Sequence, residues 1–168
     1  MAVLDAYIDA NLAAGKKGSR SKISGAPTLT IAQTFEVAAG DSNLSVWRLG
    51  ILPANAIPVR CEIYCDASLG TSEFDLGLYK PGVGGAVVDR DLFMDGVDLT
   101  SGVAVTAGAN NGLANLGGAD PVAAQGKKLW ELLGLSVPGR NDYDLALTGV
   151  VAGAAAGTIS VVFEYIIG

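Results

Sequence analysis

From Thr28 onward, apolar and polar residues alternate in short runs divided by turn residues. Alternation with a period of two marks strands that have one face on a core and the other in water. The clearest run is Val59 to Asp66, where Val59, Cys61, Ile63 and Cys65 alternate with Arg60, Glu62, Tyr64 and Asp66. Further strands are predicted over Thr28–Val37, with Leu29, Ile31 and Phe35 inward, and over Leu44–Leu52, which carries Val46, Trp47 and Leu49. Phe74–Lys80 points Phe74, Leu76 and Leu78 to one side. In Thr158–Ile167, the residues Ile159, Val161, Phe163, Tyr165 and Ile167 alternate with their neighbours. Tyr143–Thr148 completes the set and is expected to form a hairpin with that last strand through the Gly/Ala-rich loop Gly149–Gly157. Pro53-Ala54-Asn55 and Pro81–Gly85 read as turns. Residues 86–118 are apolar in places but not cleanly periodic, and Gly108–Gly118 reads as a loop.

Two segments have helical spacing instead. Val3, Leu4, Tyr7, Ile8 and Leu12 recur on one helical face, with Asp5 and Asp9 near its start and Gly15 as a stop. Asp120 suits an N-cap, Pro121 the first helical position and Gly134 the end of a second helix, whose middle is weakened by Gly126. Between the first helix and the strands lies a Gly/Ser-rich neck holding Lys16, Lys17, Arg20 and Lys22. The expected organisation is an N-terminal helix and basic arm over 1–24 and a β-sandwich domain over 25–168. The fold class is mainly β: a jelly-roll-like antiparallel β-sandwich with a short N-terminal helix or arm and one short covering helix.

Composition agrees with this plan. Half of the 168 residues are apolar and 17% are charged, a balance of folded chains. The 23 glycines have no fixed period and suit many tight turns. Net charge is −6, and the neck polarises it: residues 25–168 hold seven bases against fifteen acids. An acidic body argues against bulk nucleic-acid binding. The neck is open to three readings: a solvated linker, an arm that orders on an acidic partner, or a short nucleic-acid tail without interleaved aromatics. No stretch approaches the ~20 apolar residues of a membrane helix. The first residues carry acids where a signal peptide would carry bases, so a soluble, unprocessed protein is expected.

The chemistry available is limited. There is no histidine, which removes the usual acid–base group and the usual Ser or Cys triads. Cys61 and Cys65 lie four apart, about 13 Å along a strand, too far for a disulfide. Helical spacing or a metal site would bring them together, but the alternation favours buried, reduced thiols in a reducing compartment. Asp89, Asp91, Asp95 and Asp98 form the densest carboxylate cluster, without the spacing of an EF-hand. Glu73 and Asp75 are neighbours on one strand face, a weak candidate for paired-carboxylate chemistry. No enzyme activity, cofactor or metal is expected. Tyr64, Tyr79 and Trp47 are the candidates for a glycan-binding face.

One order of residues resembles a known family. Val46-Trp47-Arg48-Leu49 is followed by Ile51-Leu52-Pro53-Ala54-Asn55-Ala56, then by Phe74-Asp75-Leu76-Gly77-Leu78-Tyr79-Lys80. Further on come Leu129-Trp130-Glu131-Leu132, Tyr143-Asp144-Leu145-Ala146-Leu147 and Gly157-Thr158-Ile159-Ser160-Val161. Over residues 44–167 this resembles the head decoration (cement) proteins of tailed bacteriophages. The resemblance implies a jelly-roll-like sandwich on the outer surface of an icosahedral virion, made in the host cytoplasm. It implies binding to the major capsid protein where capsomers meet, as a dimer or trimer at symmetry axes, and resistance to the pressure of packaged DNA. The family has no catalytic residues to carry over. Within that frame Tyr7, Ile8 and Leu12 are expected to dock in a capsid groove, with Lys16, Lys17, Arg20 and Lys22 steering. Other virion roles (head fibre, neck or tail) and a carbohydrate-binding sandwich are the alternatives.

Overall fold

Eight strands and one helical turn account for the regular structure in a computed structural model that describes residues 27–65, 69–99, 105–106, 124–139, 142–151 and 155–168. The strands are β1 (Leu29–Val37), β2 (Ser45–Leu52), β3 (Ala56–Cys65), β4 (Glu73–Tyr79), β5 (Val87–Asp98), β6 (Val105–Thr106), β7 (Tyr143–Val151) and β8 (Gly157–Ile167). The helix α1 spans Leu129–Leu132. One antiparallel sheet has the order β1-β8-β3-β6 and the other β2-β7-β4-β5. The pairs β1–β8, β2–β7, β3–β6 and β4–β5 nest inside one another. That nesting is the jelly roll: one long antiparallel ribbon wrapped so that its strands fall alternately into two facing sheets.

The core lies between the sheets because each can bury its apolar face only against the other. Phe74, Leu76 and Leu78 of β4, Leu145 and Leu147 of β7, Cys61 and Ile63 of β3, and Ile159, Val161 and Phe163 of β8 all point inward and are buried. Phe93 of β5 crosses to Phe163 of β8 at 4.8 Å between ring centres, joining the two layers. On the open side of the sandwich, Phe35 of β1 stacks on Trp47 of β2 at 5.7 Å, and Trp47 reaches Phe74 at 6.1 Å.

Several expectations need correcting. β7 and β8 lie in different sheets, so they form no hairpin. Val59 is not inward but 46% exposed, because a register shift between Pro58 and Arg60 inserts one extra residue. That bulge flips the parity: Ala56 and Pro58 pair with Ile167 and Tyr165 before it, and Cys61, Ile63 and Cys65 with Phe163, Val161 and Ile159 after it. Leu29 is exposed, whereas Val37 at the other end of β1 is buried. At the end of β8 Ile167 is exposed and Ile166 buried, facing Ile57 across the strands. The covering helix is interrupted: Ala124 is helical, with the residues before it outside the described set, and Gly126 adopts φ +76°. After that break α1 starts behind Lys128, whose N–H donates to Glu131 Oε2 at 2.8 Å. It ends as expected: Gly134 has φ +69°, its N–H donates to Glu131 O at 3.1 Å, and Leu135 N–H donates to Trp130 O at 2.9 Å. The N-terminal helix, the basic neck, Gly108–Gly118 and the Asp120-Pro121 start lie outside the described residues.

β5 was not legible as a strand because its ladder is broken three times. Leu76 pairs with Met94 but Leu78 with Asp89, so the chain bows out between them. The bow brings the backbone of Asp89 and Arg90 against Gly77, where an added Cβ would sit 2.1 Å from Asp89 O. Backbone cannot swing aside as a side-chain tip can. Gly77→Ala should therefore cost about 3 kcal/mol, the upper end for overpacking. Gly40→Ala, whose Cβ meets nothing within 4 Å, should cost about 1 kcal/mol from its positive φ alone. Urea midpoints of the two variants check both values.

Candidate interaction surface

The outer face of the β2-β7-β4-β5 sheet carries a polar network built across strands distant in sequence. Arg48 on β2 donates from Nη1 to Asp144 Oδ2 of β7 at 2.7 Å and to Lys80 O at 3.0 Å. Its Nη2 donates to Gly85 O at 3.0 Å. Asp144 Oδ2 also accepts from Gly82 N–H at 3.0 Å, and the Arg48 guanidinium lies 5.3 Å over the Tyr79 ring. The fork geometry of arginine lets one side chain hold a carboxylate and two carbonyls at once. The result clamps the loop Pro81–Gly85, at whose tip Val83 is fully exposed. Beneath the clamp Tyr79 OH meets Thr148 Oγ1 at 2.6 Å, both buried. Val46, Arg48, Tyr79, Val83, Gly84 and Gly85 line a shallow recess of about 350 Å³. A larger one of about 690 Å³ opens between Lys80, Pro81, Val88, Leu133, Leu135, Asp142 and Tyr143.

The carboxylates singled out by sequence are spoken for or dispersed. Asp75 is buried, 2.6 Å from Arg90 Nε, and accepts from Gly96 N–H at 2.9 Å. Glu73 is exposed and lies opposite Asp98. The two carboxyls therefore do not form a solvent-facing catalytic pair, because the bow of β5 covers Asp75. Within the β5 cluster Asp89 and Asp91 are neighbours: burial first, then the hydrogen-bonded Asp91 carboxyl, pushes Asp89 above the usual aspartate range. Among the described residues no three His, Cys, Asp or Glu side chains are grouped to share a metal ion. Cys61 is buried and Cys65 half-buried, both as free thiols, and burial pushes the Cys61 thiol well up.

On the opposite sheet, Glu62 of β3 is buried, although its parity turns it away from the core. It accepts from Tyr64 OH at 2.8 Å and pairs with Arg60. The Tyr64 hydrogen bond, then the Arg60 guanidinium, holds the Glu62 carboxyl below the usual range against the opposing effect of burial. The glycan candidates do not converge either: Tyr79 is buried, Trp47 is sandwiched between Phe35 and Phe74, and only Tyr64 is exposed.

What the described residues do present is apolar contact area. Leu44, Val46 and Ile51 of β2 and its approach are exposed, as are Leu29 of β1, Val83 and Val87. Sequence reasoning did not single these out, since an outward apolar residue on an edge strand looks like part of the core pattern. The arm residues Tyr7, Ile8, Leu12, Lys16, Lys17, Arg20 and Lys22 lie outside the described residues.

Solved structures share this architecture. A chain from the capsid of Ralstonia phage GP4 superposes with a TM-score of 0.54 at 20% identity, over 83% of this chain and 85% of that one. A chain from the capsid asymmetric unit of cyanophage Pam1 superposes with a TM-score of 0.52 at 10% identity, over 91% and 94%. The fold is one found in phage capsids. No protein-family model matches the sequence, and no curated protein matches it. At such identities the likeness is one of fold.

Two outcomes test the energetics of these faces. Arg48→Met leaves the buried Asp144 carboxylate without its cation and should cost about 3 kcal/mol in urea unfolding. Arg48→Lys should not restore it, since an ammonium lacks the fork. For Asp89 the folded state holds the pKa above its unfolded value, so charging it works against the fold, and stability falls as pH rises through the carboxylate range. Glu62 has the opposite sign: its contribution is present above its unfolded pKa and lost as pH falls through the lower folded one. Asp89→Asn should therefore raise the thermal midpoint at neutral pH, with the gain vanishing in acid. Melting curves at stepped pH read this directly.

Proposed function

We propose that this chain is a virion structural protein that decorates the outer surface of an icosahedral phage capsid. In this reading it stabilises the shell by bridging neighbouring major capsid protein subunits. The observation that carries the reading is the jelly roll shared with two phage-capsid chains over more than four-fifths of each chain. Two further features support it. Arg48 with Asp144 and Tyr79 with Thr148 bind one another on one sheet face, and the surface offers apolar contact area. A shell-stiffening protein needs that combination.

The arm, residues 1–24, supplies reach. Tyr7, Ile8 and Leu12 dock in a groove of the capsid surface, and Lys16, Lys17, Arg20 and Lys22 steer the arm to coat-protein acids. Ordering such an arm costs entropy, which many copies on one shell offset through avidity. The protein acts as a dimer or trimer at capsid symmetry axes, without contacting nucleic acid or membrane. Its acidic body disfavours DNA, and no helix among the described residues is long and apolar enough to cross a membrane.

Counting copies per particle by mass spectrometry, with electron microscopy of purified virions, tests the role. Hundreds of copies across the shell are expected. A dozen or fewer at one vertex would reassign the chain to the neck, tail or head fibres, and absence from particles would end the virion reading. Deleting residues 1–22 should leave a folded protein that no longer decorates capsids. Full occupancy by the truncated form would sink the arm.

A further inference from the structure

Among the described residues the two sheets end in four edge strands, and three of them are guarded. β6 is two residues long. β2 carries a bulge between Arg48 and Gly50. β5 has three register breaks. Short length, bulges and charge are the devices by which edge strands avoid pairing with other chains. β1 has none of them. Its nine residues, Leu29 to Val37, run in unbroken register with β8, contain no proline, lysine or arginine, and carry one charge, Glu36. Among the described residues no strand pairs with the other side of β1, and Ile31 and Phe35 remain half-buried at the open side of the sandwich.

We propose that β1 is a homodimer interface, pairing antiparallel with β1 of a second copy about a two-fold axis at Gln33. The occupant follows from the sequence of the strand. In that register Gln33 faces the partner's Gln33, and Ala32 faces the partner's Thr34. Ile31 faces the partner's Phe35, Thr30 the partner's Glu36, and Leu29 the partner's Val37. The single charge meets a threonine, so no like charges oppose each other. Each Ile–Phe pair is a favourable cross-strand match on the face that is now half-buried. The two four-stranded sheets become one eight-stranded sheet, β6-β3-β8-β1 continuing into its own copy. An isologous contact of this kind closes at two copies, so the open edge is consumed without growing into a fibre.

The interface rests on the strand edge and not on the capsid assignment, so it is tested on the isolated full-length protein. Sedimentation equilibrium should give twice the 17.0 kDa chain mass. Gln33→Lys places two ammonium groups face to face and should return a monomer, with at least a tenfold rise in dissociation constant and an unchanged circular dichroism spectrum. Gln33→Cys should cross-link into a covalent dimer under mild oxidation, while the wild type, with Cys61 and Cys65 alone, should not. Three results would overturn the proposal: a monomeric wild type, a dimer indifferent to Gln33→Lys, or a trimer in which Gln33→Cys stays uncross-linked. The last would mean that the edge is filled head to tail by another segment. A monomer would leave the virion reading standing, and shell-wide occupancy by a monomer would separate the two.

Discussion

The two sheets can hide their apolar faces only against each other, and every other feature of this molecule is arranged around that contact. Its centre is where Phe93 and Phe163 meet across the layers. β8 supplies Ile159, Val161 and Phe163 to that contact while pairing with β1 on one side and β3 on the other. Because six of the seven connections pass from one sheet to the other, only β4 and β5 are neighbours both in sequence and in a sheet, and an isolated hairpin is marginal in water. The layers form together or not at all. Folds dominated by such non-local pairings are slow to form.

Outside the core, the molecule spends its polar groups on stiffness. Arg48 ties β2, β7 and the Pro81–Gly85 loop together, and Asp75 fastens the bow of β5 through Arg90 and Gly96. Both sit on the outer face of one sheet, which explains why β4 is buried on both sides along most of its length. The outer face of the other sheet holds the smaller Arg60–Glu62–Tyr64 triplet. Among the described residues, exposed apolar area includes the open side along β1 and β2 and the clamped loop tip.

The sandwich was legible because β3, β4, β7 and β8 announce themselves by strict alternation, and in β4 the inward set Phe74, Leu76 and Leu78 is the one observed. Where the pattern misled, a bulge or a covering segment intervened. Val59 follows Pro58, a residue that cannot donate to a ladder, and this was the one sequence signal for the parity change there. β5 lost its period to three breaks. Asp75 looked solvent-facing because nothing in a local pattern reveals that another strand folds over it. The Arg48–Asp144 clamp joins residues 96 positions apart, beyond the reach of any spacing argument. The sequence pattern carries the helix on through Gly126, marked there only as a weak point, whereas its φ of +76° breaks the helical run between Ala124 and α1.

The place of β8 between β1 and β3 also bears on how the chain is made. Val37 and its partner Gly157 are separated by 120 positions. At ribosomal speeds of about 5–20 residues per second, β1 waits roughly 6–24 s, and β3 somewhat less, for the strand that pairs with both. During that interval the nascent chain exposes two sticky strands with nothing to close them. Strong expression would place many such half-made chains side by side. Translation pauses downstream of β3 would lengthen that exposure, so the cell's capacity to shield nascent β-strands sets the yield of this protein.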